Sequence, residues 1–204
     1  MPAVARLDFF YDYGSPYSYL ANSRLPALRE RTRCEIAYRP MLLGGVFKAT
    51  GNQSPALEPV EAKRRYGGAE MQRWVAYLGV PFQPNPHFPI NTLALMRAAH
   101  AAQQLGVFEA FHAAVYPAFW ARGENLGDPA VAGRILRDAG LNAEALFEAA
   151  AGDAAKAALR STTDEAITRG AFGAPTFAVG DEIFFGNDRL DFVERALRAE
   201  QAAT

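Results

Sequence analysis

Strand signals occur only near the two ends of this chain, and the long stretch between them is helical in period. Residues 6–13, RLDFFYDY, mix aromatics with alternating aspartates, the pattern of a short strand. Gly14 and Ser15 make a turn, and Pro16 suits the first position of a helix. Leu20, Leu25 and Leu28 then fall on one side of a helix running to about Arg31. Cys34 to Tyr38 read as a second strand that stops before Pro40. A strand, a helix and a strand in so short a span form a βαβ unit, which favours parallel pairing. At the far end, Thr176–Val179 and Glu182–Phe185 are apolar runs flanking Gly180-Asp181, a hairpin signal. Asp188 to Ala199 closes the chain as an amphipathic helix, with Leu190, Val193 and Leu197 on one face.

The middle reads differently. Residues 44–59, GGVFKATGNQSPALEP, read as a loop punctuated by Gly and Pro. Val60 to Leu78 is helical, with Tyr66, Trp74 and Tyr77 as its large residues, and a proline-rich connector, VPFQPNPHFPIN, follows. Asn91 can cap a helix from Thr92 to Leu105. Phe108–Trp120, Pro129–Ala139, Ala143–Ala151 and Asp153–Arg169 are also helical. With this block set aside, the order of elements is that of thioredoxin. The expected fold is therefore α/β, a thioredoxin-like fold interrupted by an all-helical insertion. Its expected division is a discontinuous thioredoxin-like domain, residues 1–45 and 161–204, with residues 46–160 as the insertion.

Composition narrows the function. The chain has 204 residues, half of them hydrophobic and 21% charged, which suits a packed core and excludes disordered and coiled-coil classes. Lys plus Arg number 21 against 22 Asp plus Glu, so no electrostatic footprint for nucleic acid or an anionic membrane exists. No segment approaches the roughly 18 apolar residues of a membrane span. Arg6, Asp8 and Asp12 interrupt any signal-peptide core, which points to a cytoplasmic protein. Cys34 is the single cysteine, so an internal dithiol cannot carry out disulfide exchange.

Three places have the residues for chemistry. Ser15 stands where a strand gives way to a helix, so free backbone N–H groups and the positive end of the helix dipole converge on it. The same residue also reads as an ordinary N-cap. In Gly173-Ala174-Pro175-Thr176, a proline before a strand leaves the preceding backbone free to pair with a bound peptide, or is simply an edge-strand proline. Asn187 and Asp188 open the last helix, as caps or as holders of a zwitterionic, amino-acid-like ligand. His87, His100 and His112 lack metal-ligand spacing, and no phosphate loop or nucleophile elbow occurs.

Taken together, FFYDYGSPYSYLA (9–21), TGNQSP (50–55), PVEAKRRY (59–66), FPINTLALMR (88–97), GAFGAPTF (170–177) and FFGNDRLDF (184–192) give the chain a resemblance. It resembles the 2-hydroxychromene-2-carboxylate isomerases, kin of the kappa-class glutathione transferases in the thioredoxin superfamily. The resemblance implies a glutathione site in which Ser15 replaces the redox cysteine and hydrogen-bonds the sulfur. It matches Asn52 and Lys63 to the glutathione arm, Ala174 before Pro175 to the backbone that pairs with the cysteinyl part, and Asn187 and Asp188 to the γ-glutamyl end. Tyr17, Phe47, Trp74 and Phe88 are then candidate walls of an aromatic-substrate pocket, or core residues. The implied activity is glutathione-dependent cis–trans isomerisation of an aromatic keto acid, as in breakdown of naphthalene-like compounds, by a homodimer. Glutathione transfer to electrophiles is the alternative activity, and a noncatalytic glutathione-binding module is a third reading.

A serine suits the role. Lowering a thiol pKa by about two units requires about 2.7 kcal/mol. A hydrogen bond to a charged group supplies roughly 1.5–3 kcal/mol and a helix N-terminus roughly 0.3–2 kcal/mol. Those two contributions suffice without a base, so Ser15 need not ionise; it donates.

Overall fold

A computed structural model describes residues 4–202. Its strands are β1 (Arg6–Tyr11), β2 (Glu35–Pro40), β3 (Thr176–Val179) and β4 (Glu182–Phe185). Its helices are α1 (Pro16–Thr32), α2 (Leu43–Thr50), α3 (Glu61–Leu78), α4 (Leu93–Gln104), α5 (Phe108–Trp120), α6 (Pro129–Asp138), α7 (Ala143–Ala151), α8 (Asp153–Thr168) and α9 (Leu190–Ala202). The sheet runs in the order β2-β1-β3-β4, with β1 parallel to β2 and the other pairs antiparallel. This is a thioredoxin-like α/β fold with a mixed four-stranded sheet.

The strand period of two sorts β1 between two apolar clusters. Leu7, Phe9 and Tyr11 join the main core with Leu20, Leu25 and Leu28 of α1 and Val193 and Leu197 of α9. Phe10 joins a smaller cluster with Val46 of α2 and Ala166 of α8. Phe9 stacks on Phe177 at 5.3 Å and on Tyr11 at 5.2 Å, so aromatic contacts tie β1 to β3. The main core continues into α4–α8, where α4 touches α5, α7 and α8.

Two expectations need correction. Residues 43–50 are helical where a loop was expected, because packing outweighs the glycines. Val46 is buried in the small cluster, and Gly45 lies so close to α8 that an added Cβ would meet Thr163 at 3.2 Å. Strand β2 also continues to Pro40, opposite Tyr11. It is an edge strand, so the missing proline N–H costs no ladder bond. Asn91 lies just before the Thr92 cap, and its Oδ1 accepts from the Leu93 amide at 3.0 Å.

Candidate active site

The site begins where β1 ends. Asp12 follows the strand, is almost completely buried, and accepts three hydrogen bonds: from the Gly14 amide at 2.9 Å, the Leu43 amide at 2.9 Å and Thr92 Oγ1 at 3.0 Å. It thereby pins the β1–α1 turn to the starts of α2 and α4. Burial pushes its carboxyl above the usual carboxylate range, against the lowering effect of those three donors. The turn delivers Ser15 to the N-cap of α1 in extended conformation, where its Oγ accepts from the Ser18 amide at 3.1 Å. The same oxygen donates to the carbonyl of Ala174 at 2.9 Å. Ser15 is buried, with 4% of its surface exposed.

Ala174 belongs to the turn entering β3, and its bond to Pro175 is cis. Thr176 Oγ1 donates to the Gly173 carbonyl at 2.9 Å, and the Gly186 amide donates to the Pro175 carbonyl at 3.0 Å. That second bond brings the Asn187–Arg189 turn to the same end of the sheet. Asn187 is buried, and its Nδ2 has no hydrogen-bond partner. Arg24 of α1 donates to the Asn187 carbonyl at 2.6 Å, and its guanidinium lies 5.8 Å from the centre of the Trp74 ring. Tyr17 is half-buried, and its phenol is pushed up by burial first and then by the Glu70 and Asp188 carboxylates nearby. Asp188 is exposed and pairs with Arg189.

Hydrogen bonds join Ser15 to Ala174 and Gly186 to Pro175, which sets Asn187, next to Gly186 in sequence, at the same end of the sheet, with Arg24 of α1 holding its carbonyl. Asp188 follows Asn187, Tyr17 follows Pro16 of α1, and Trp74 lies by Arg24. Asn52 reaches the edge of this constellation, donating to the Phe172 carbonyl at 2.8 Å. Lys63 is exposed, with its Nζ 3.9 Å from Glu58. Phe47 is half-buried on α2, and the Phe88 ring lies 5.4 Å from that of Trp120. Among the described residues, no hydrogen bond or ring contact links Lys63, Phe47 or Phe88 to Ser15, Ala174 or Asn187.

Sequence reasoning missed Asp12 and Arg24, and also an internal polar chain beneath the turn. The Tyr13 hydroxyl lies 2.8 Å from His112 Nδ1, and His112 Nε2 lies 2.9 Å from Asn22 Oδ1. Burial lowers the His112 pKa to about 3, so the ring is neutral at ordinary pH. An aspartate two residues before a glycine, directly after an apolar strand, was the available signal for Asp12.

Residues 6–198 match the family model of the DSBA-like thioredoxin domain. A 2-hydroxychromene-2-carboxylate isomerase from Sphingobium xenophagum is 38% identical, covering 94% of this chain and 97% of its own. The solved structure of a 2-hydroxychromene-2-carboxylate isomerase superposes with a TM-score of 0.83 at 29% identity, covering 95% of each chain. Glutathione S-transferase kappa 1 from Rattus norvegicus is 29% identical, covering 94% of this chain and 90% of its own. The chain thus belongs to the DSBA-like thioredoxin family and, within it, to the 2-hydroxychromene-2-carboxylate isomerase family.

Proposed function

We propose that this protein catalyses glutathione-dependent cis–trans isomerisation of 2-hydroxychromene-2-carboxylate and related hydroxybenzylidenepyruvate-type aromatic keto acids, a step in aromatic hydrocarbon catabolism such as naphthalene degradation. The observation that carries this reading is Ser15. A buried serine caps α1 and faces the carbonyl before Pro175, in a chain 38% identical to an isomerase of that name.

The residues present fit glutathione. Asn187 Nδ2 is a buried donor without an acceptor, which folded chains rarely retain. A ligand carboxylate at the γ-glutamyl end would satisfy it, and the exposed Asp188 carboxylate, paired with Arg189, would hold the ammonium group. The backbone of Ala174 pairs with the cysteinyl part, while Asn52 and Lys63 serve the glutathione arm. Glutathione held by these residues would supply a nucleophilic thiolate for reversible covalent catalysis at the substrate's conjugated double bond. Ser15 has one hydroxyl proton, directed in this structure at the Ala174 carbonyl. Engaging that carbonyl with a ligand amide frees the proton to turn toward sulfur, and Ser15 stays neutral throughout. The dipole of α1 adds to the same stabilisation.

The aromatic substrate lies between the thioredoxin-like part, residues 1–45 and 161–204, and the helical insertion, residues 46–160, a division that is part of the proposal. Tyr17 and Trp74 form its nearer walls, with Phe47 and Phe88 further out. The reading extends to a cytoplasmic homodimer acting on a small molecule. No helix among the described residues is long and apolar enough to cross a membrane.

A second reading, conjugation of glutathione to electrophiles, draws support from the kappa-class relatives. Free thiol measured during turnover separates the two. Isomerisation leaves glutathione unconsumed, whereas conjugation removes one thiol per product.

A further inference from the structure

A cavity of about 370 Å³ lies within the helical block, walled by α4, α5, α6, α7 and the turn at Leu126–Gly127. It shares no lining residue with the Ser15 constellation. Its walls are apolar, with Leu95, Phe111, Ile135 and Phe147 among the larger side chains. Alanines at 94, 98, 132 and 150 keep the space open. An apolar cavity of roughly 150 Å³ holds one benzene ring, so this one has room for two fused rings.

One charged side chain lines it, Arg97. Arg97 forms no ion pair or hydrogen bond among the described residues, and its Nε is shielded from solvent without an acceptor. Two arginines of α6 are different. Arg134 is paired with Glu124 at 2.9 Å and Arg137 with Glu144 at 3.0 Å. A lone guanidinium at the edge of an apolar space is complementary to a carboxylate on an apolar body, because its planar fork matches the two carboxylate oxygens.

We propose that this cavity is a second binding site, for a two-ring aromatic monocarboxylate, with Arg97 holding the carboxylate and the α4–α7 walls enclosing the rings. It does not depend on the glutathione reading, since the site does not include Ser15.

The test is titration of 2-naphthoate into the ¹⁵N-labelled full chain, followed by amide shifts, with 2-naphthalenemethanol as the uncharged probe and decanoate as the nonaromatic one. Naphthoate is expected to shift the amides of residues 94–98 and 147–151, with a midpoint that does not change in Ser15→Ala. Arg97→Leu is expected to weaken naphthoate binding about tenfold or more, with the alcohol unaffected. Ala94 is exposed, so Ala94→Trp plugs the mouth without entering the core and is expected to abolish binding if Arg97→Leu does not fold. Shifts confined to the Ser15 region, an absence of shifts, or unchanged naphthoate affinity in the folded Arg97→Leu variant would overturn the proposal. Decanoate binding there in place of naphthoate would overturn the aromatic assignment.

Discussion

Ser15 Oγ lies 2.9 Å from the carbonyl oxygen of Ala174, a contact that closes 159 residues of sequence. A carbonyl oxygen only accepts, so the serine proton points at the turn before Pro175. The lone pairs of the same hydroxyl already accept from the Ser18 amide. The helix cap and the ligand-facing turn thus share one atom.

Ser15→Ala removes the donor and leaves the dipole of α1 in place. A hydrogen bond to a thiolate contributes roughly 1.5–3 kcal/mol, so the pKa of bound glutathione is expected to rise by about 1–2 units. Ultraviolet absorbance of the thiolate against pH measures it, and an unchanged midpoint contradicts the assigned role.

Gly186 has φ 106° and ψ 150°, a backbone region open essentially to glycine, and its amide holds the Pro175 carbonyl. An added Cβ would also lie 2.5 Å from Asp188 Oδ1. Gly186→Ala is expected to cost about 1–3 kcal/mol, lowering Tm by several degrees and weakening glutathione binding by displacing Asp188. Calorimetry together with a glutathione titration checks both effects.

His112 carries a pH dependence. Its folded pKa of about 3 lies below the ordinary value of about 6.5, so folding favours the neutral ring. That contribution is complete above the unfolded pKa and is lost as pH falls from about 6.5 toward 3. His112→Phe is expected to lower Tm at neutral pH, where Tyr13 and Asn22 lose their partner, and to flatten the decline on acidification. Parallel Tm curves for the two proteins would count against it.

Asp12 works in the opposite direction. Its folded pKa is raised, so its contribution is complete below the unfolded value of about 3.9 and is lost as pH rises through the folded value. The Tm difference, wild type minus Asp12→Asn, is expected to shrink as pH increases. A widening gap would contradict the raised pKa.

Much of this was legible in the sequence because it is local. The strand–Gly14–Ser15–Pro16 junction, the Gly180-Asp181 hairpin and the face of Leu190, Val193 and Leu197 each depend on neighbours a few residues apart. Helix α2 was hidden because Gly44 and Gly45 disfavour a helix locally, while the contacts that hold it come from Thr163 and Asp12 far along the chain. Asp12 and Arg24 were hidden for a related reason. Apart from the Gly14 amide, which bonds Asp12 locally, their partners lie 31, 80 and 163 residues away, and nothing in a one-dimensional pattern marks such distances. Lys63 was legible only as a motif match, because its exposed position beside Glu58 follows from no local pattern.

In the proposed reaction a borrowed thiol, activated at Ser15, does the chemistry. Its most direct test follows 2-hydroxychromene-2-carboxylate by absorbance with the purified protein, with and without glutathione. Acceleration is expected only when glutathione is present, and is expected to be largely lost in Ser15→Ala. Equal rates with and without glutathione, or no acceleration in either condition, would contradict it.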